Sequence, residues 1–102
     1  MYNPRQKFNF EILKQGPQAA RLGVLQTPHG IIKTPAFIVA STNASVKTLN
    51  PDQVLNLGGQ SVLVNAYHLM LRPGEEIVSI AGGVHKFMNW QKPIFASCSE
   101  KV

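Results

Sequence analysis

The sequence predicts an α/β fold, on three observations. Two short, uninterrupted apolar runs lie at residues 36–40 and 61–64, the second opening on Ser61. A helix-start signal, Asn50-Pro51-Asp52, sits between them. Ahead of both, the chain alternates apolar and polar residues with the period of two typical of an antiparallel sheet.

Residues 7–13 form the first expected strand, with Phe8, Phe10 and Ile12 on one face. Gln15-Gly16-Pro17 is a turn. Residues 21–26 alternate again, with Leu22 and Val24 on one face and Leu25 breaking the pattern. Pro28-His29-Gly30 turns the chain into Ile31-Ile32-Lys33, giving a hairpin or small antiparallel sheet. Thr34-Pro35 ends it, because proline has no N–H to give a ladder. Ala36-Phe37-Ile38-Val39-Ala40 suits a strand buried on both faces, as in a parallel sheet. In the helix that follows, Asn50 can cap, Pro51 fits the first helical position, and Asp52 suits the positive end of the dipole. Val54, Leu55 and Leu57 make its apolar side, and Gly58-Gly59 stops it. Ser61-Val62-Leu63-Val64 repeats the buried-strand pattern. A second helix is expected after Arg72-Pro73-Gly74, with Glu75 and Glu76 in its first turn. Ile77, Ile80 and Ala81 fall at helical spacing, and Gly82-Gly83 closes the helix. Pro93-Ile94-Phe95-Ala96 begins a third strand. Strand, helix, strand, helix, strand implies parallel strands joined by right-handed crossovers. Three such strands with two helices leave the last strand as an unpaired apolar edge.

Composition narrows the function classes. With 44% hydrophobic and 15% charged residues the chain reads as globular rather than disordered. Its longest apolar run is far too short to span a bilayer, so no membrane role is expected. The opening MYNPRQKFNF has basic residues but no apolar stretch behind them, unlike a secretory leader. Cys98, the single cysteine, can form no internal disulfide and no structural zinc site unaided. These features point to the cytoplasm. Ten Lys and Arg against five Asp and Glu give a net charge of +5, which favours a phosphate-bearing partner. The basic residues are scattered rather than clustered, so charge alone does not establish nucleic-acid binding.

The chemistry concentrates in Asn65-Ala66-Tyr67-His68-Leu69-Met70-Leu71-Arg72-Pro73-Gly74, directly behind an expected buried strand. Parallel α/β folds place their active-site loops there. Asn65 offers a donor and an acceptor suited to a nucleobase edge, and Tyr67 and His68 could stack or hydrogen-bond. A purely structural reading stays open: Asn65 caps a turn, His68 is a core histidine, and Arg72 pairs with Glu75 or Glu76.

The string from Asn65 to Gly74 resembles the N-T-Y-H-L-x-L-R-P-G motif of tRNA-guanine transglycosylases. Further stretches match that family in the same order. They are Ala20-Arg21-Leu22-Gly23, then the run from His29 to Phe37, then Ser45-Val46-Lys47. After the motif come Gly82-Gly83-Val84-His85-Lys86-Phe87-Met88-Asn89-Trp90 and Pro93-Ile94. The resemblance covers about residues 8–95, leaving 96–102 as a divergent tail of the single 1–102 unit. It implies the beginning of a (β/α)8 TIM barrel: an antiparallel hairpin or sheet followed by the first two to three βα units. A whole barrel takes roughly 250 residues.

The family exchanges guanine at the wobble position of certain tRNAs for a deazaguanine, preQ1 or queuine. The resemblance therefore implies tRNA as partner. An aspartate attacks the ribose C1′ and a second aspartate moves the protons of the leaving and entering bases. By resemblance, Asn65 lies beside the base pocket, and Leu63 and Ala40 line it from the first two barrel strands. Ala40 stands where valine is usual and Ala66 where threonine is usual. Where the family places its acid/base aspartate, this chain has Ser97, followed by Cys98, Ser99 and Glu100. A serine hydroxyl does not trade protons near neutral pH. The nucleophile and the family's zinc-binding cysteines and histidine have no counterpart here, so no catalytic residue, metal or cofactor is expected in this chain. Similarity lost so abruptly after Ile94 fits a frameshift or early stop in a transglycosylase gene. The expectation is a fragment inactive alone. The alternative is a non-catalytic module that binds tRNA or a full-length transglycosylase subunit. A small enzyme built on Cys98 or His68 ranks last.

Overall fold

The structure is a computed structural model that describes residues 8–41, 44–46 and 49–98. Lys7, Lys47, Ser99 and Glu100, used above, lie outside the described residues. Two sheets of three strands each make the frame.

The first sheet is antiparallel and consists of β1 (Asn9–Gln15), β2 (Arg21–Thr27) and β3 (Gly30–Thr34). The expected hairpin arrangement is present, and the ladder ends at Thr34, immediately before Pro35. Gly23 on β2 lies beneath the Phe10 ring, where an added Cβ would sit 2.8 Å from a ring carbon. Only glycine lets the aromatic ring cross the strand there.

The second sheet is parallel, in the order β4 (Val39–Ala40), β5 (Val62–Asn65), β6 (Ile94–Ser97). Between β4 and β5 runs α1 (Pro51–Asn56). Asn50 caps it as expected, and its oxygen accepts from the Gln53 backbone at 2.8 Å. The Gln53 side chain returns a bond to the Asn50 N–H at 2.9 Å, completing a capping box the sequence reading did not include.

Three short helices, not one, connect β5 to β6: α2 (Ala66–Leu71), α3 (Glu75–Ile80) and α4 (Val84–Met88). Arg72 ends α2 in an extended conformation, as expected of a residue whose neighbour is Pro73. Gly82 and Gly83 both take positive φ (98° and 106°), which stops α3 and re-aims the chain into α4.

The core gathers Val54 of α1, Val62 and Val64 of β5, Leu69 of α2, Met88 of α4, and Trp90. Val39 and Ile94 pack against it from the flanking strands. The Trp90 indole N–H donates to the Pro93 carbonyl at 3.1 Å.

Several packing expectations need correction. The run at 36–40 pairs only through Val39 and Ala40, and Phe37 is 81% exposed. Neither it nor β5 is buried on both faces, because among the described residues helices cover one side of the sheet only. Leu55 and Leu57 of the first expected helix, and Ile77 and Ile80 of the second, are exposed as well.

The two sheets are joined by a side chain that imitates a strand. Gln60, just before β5, accepts from the Lys33 N–H at 2.7 Å and donates to the Lys33 carbonyl at 3.1 Å. Both backbone groups of Lys33 on the outer edge of β3 are thereby satisfied, and the first sheet sits at the amino ends of the parallel strands.

Candidate functional site

The carboxyl ends of β4, β5 and β6 lie at the opposite end of the parallel sheet, the end where such folds do their chemistry. Register sorts their side chains. Ala40 pairs with Leu63, Leu63 with Phe95, and Asn65 with Ser97. Paired residues of a parallel ladder share a face, and alternation along each strand puts all five on the same one. Val39, Val62, Val64 and Ile94 occupy the other face, against the core. The four residues singled out by resemblance therefore converge: Ala40, Leu63, Asn65 and Ser97 lie on the face the helices leave open. Ala40 is exposed, Leu63 is 37% exposed, and Asn65 and Ser97 are half-buried.

Asn65 does a structural job there. Its Oδ1 accepts from the Tyr67 N–H at 2.9 Å and the His68 N–H at 3.3 Å, starting α2 directly at the end of β5. The capping reading is thus present, and the cap fixes the plane of the amide at the sheet end. Ser41, one residue past β4, adds two bonds to the Leu63 carbonyl, from its N–H at 2.9 Å and its hydroxyl at 2.8 Å. These bonds hold the ends of β4 and β5 together beyond the last ladder pair. Tyr67 and His68 are half-buried, with tilted rings 6.0 Å apart.

Acid groups stand elsewhere. The described carboxylates are Glu11 on β1, Asp52 in the first turn of α1, and Glu75 and Glu76 in the first turn of α3. Among the described residues, no group of three His, Cys, Asp or Glu could hold a metal. None of their helices is long and apolar enough to cross a membrane.

Sequence reasoning missed three features. Gln60 clamps Lys33. Ser61 is fully buried with its hydroxyl lacking a hydrogen-bond partner. His29 stacks on His85 at 3.7 Å. None carries a local signature, since each depends on which distant residue the fold brings close.

An antiparallel sheet leading into a parallel one defines a mixed α/β protein, with polar residues gathered at the carboxyl edge of the parallel strands. Residues 16–101 match the family described as Queuine tRNA-ribosyltransferase, and the chain belongs to that family. A queuine tRNA-ribosyltransferase from Desulforudis audaxviator is 54% identical over 86 residues, covering 83% of this chain and 23% of the relative. One from Halalkalibacterium halodurans gives the same figures. One from Symbiobacterium thermophilum is 54% identical over 83 residues, 80% of this chain and 21% of its own. The chain thus spans under a quarter of the length of these curated relatives.

Proposed function

We propose that this chain is the N-terminal portion of a transglycosylase barrel whose whole protein exchanges guanine in tRNA for a deazaguanine, and that alone it is catalytically silent. Ser97 carries this reading. It sits beside Asn65 at the carboxyl edge of the parallel sheet, where the family's resemblance calls for a carboxylic acid. A hydroxyl there neither takes the leaving base's proton nor supplies one near neutral pH.

In this reading the open face of the sheet is one wall of the base pocket. Ala40 and Leu63 supply its apolar surface, and Asn65 marks its rim. The partner of the whole protein is tRNA, the compartment the cytoplasm, and this portion needs no metal or cofactor of its own. The uncovered apolar surface of Leu63, 37% exposed on the open face, favours a second reading. There the chain is a non-catalytic module that binds tRNA or seats this face on a full-length transglycosylase subunit.

A base-exchange assay with labelled guanine and substrate tRNA tests the proposal. No incorporation above the protein-free control is expected from the purified chain. Incorporation at an enzymatic rate refutes it. A salt-dependent shift of tRNA mobility supports the second reading.

A further inference from the structure

Two imidazoles join the turn between β2 and β3 to α4. His29 and His85 stack with ring centroids 3.7 Å apart and planes 14° from parallel. His29 is exposed and His85 half-buried. The His85 Nε2 lies 2.9 Å from the Lys92 carbonyl oxygen. A carbonyl only accepts, so Nε2 carries the proton and Nδ1 is bare in the neutral ring.

Among the described residues, the surroundings hold nothing to offset a positive charge. Besides the two rings, the cavity is walled by Phe8, Leu25, Thr27, Pro93, Ile94 and Phe95, together with Pro28, and none of these ionises. On α4 the Lys86 side chain lies against Gly82. Lys92, ahead of β6, brings its carbonyl to His85 and a further cation on its side chain.

We propose that this stacked pair is an acid-sensitive latch that fastens the first sheet to α4 and the lead-in to β6. Neutral rings stack face to face and close the apolar cavity. A proton gained by His85 puts a cation one ring-thickness from the His29 imidazole and against an apolar wall, and the turn is pushed off. Burial first, and then the charge of His29, hold the His85 pKa below its ordinary 6.5, while the Lys92 carbonyl pulls the other way. The sign follows. A folded value below the unfolded one means the unfolded chain binds more protons as pH falls below about 6.5. The latch's contribution is fully present above that pH and is lost as pH falls towards the depressed folded value.

The test is urea unfolding of the full chain at pH 8 and pH 5, followed by the fluorescence of Trp90, the sole tryptophan and a buried one. His29→Phe keeps a flat ring in the stack but cannot charge. The native chain is expected to lose midpoint concentration between pH 8 and pH 5, and His29→Phe to lose less, because the burial of His85 remains but the charge of His29 is gone. Equal losses in the two proteins overturn the latch. So does a native chain whose Trp90 emits as a solvent-exposed indole at pH 8, since the arrangement is then not adopted. Should His29→Phe fail to fold, His29→Gln is held to the same comparison.

Discussion

Gln60→Ala is the sharpest probe of how the two sheets hold together. The substitution removes both bonds to Lys33, at 2.7 and 3.1 Å. A net hydrogen bond contributes about 0.5–1.5 kcal/mol, so the pair contributes about 1–3 kcal/mol. Lys33 is exposed and Gln60 half-buried, so water replaces part of the loss and the expected cost is about 1–2 kcal/mol. Gln60→Glu sharpens the test. A carboxylate still accepts from the Lys33 N–H, but it sets a second acceptor against the Lys33 carbonyl in place of a donor. It is expected to destabilise at least as much as alanine, despite being nearly isosteric. Urea unfolding reads the global cost, and hydrogen exchange at the Lys33 amide reads the local one. If Gln60→Ala leaves both the midpoint and the Lys33 exchange rate unchanged, the sheets are docked by something other than this clamp.

Two further substitutions test local energetics. Ser61→Ala removes a buried hydroxyl without a partner and is expected to be neutral or stabilising by up to about 1 kcal/mol in the same unfolding assay; a loss of more than that reveals a bond from Ser61. Asn50→Ala breaks the capping box of α1 and should cost about 1 kcal/mol, while Asn50→Asp, which can still accept from the Gln53 N–H, should restore most of it.

Legibility in the sequence followed the range of the interaction. The β1–β2–β3 sheet was readable because alternation and turn residues act on near neighbours. The start of α1 was readable because Asn50, Pro51 and Asp52 act within one turn. Of the helices between β5 and β6, α3 was marked by Gly74, its two glutamates and Gly82-Gly83, whereas α2 and α4, of six and five residues, carry no comparable start and stop. Burial failed for another reason. Apolar runs suggest two covered faces, but coverage depends on which layers surround the strand, and Leu63 has none on its open side among the described residues. At the candidate site, strand register alone places Asn65 beside Ser97 once the strands are known to be parallel. Motif resemblance, rather than any physical pattern in the residues, suggested that these positions matter together. The Gln60–Lys33 clamp spans 27 residues and leaves no local trace.

The oxygen of Asn65 bonded to Tyr67 and His68 complicates genetics at this position. Any replacement that lacks an acceptor weakens the first turn of α2 as well as altering the sheet end, so loss of function in the whole protein would be ambiguous between a weakened helix start and lost recognition. Serine or aspartate preserves the acceptor while discarding the carboxamide, and only such replacements can separate the architectural duty of this residue from any duty toward a ligand.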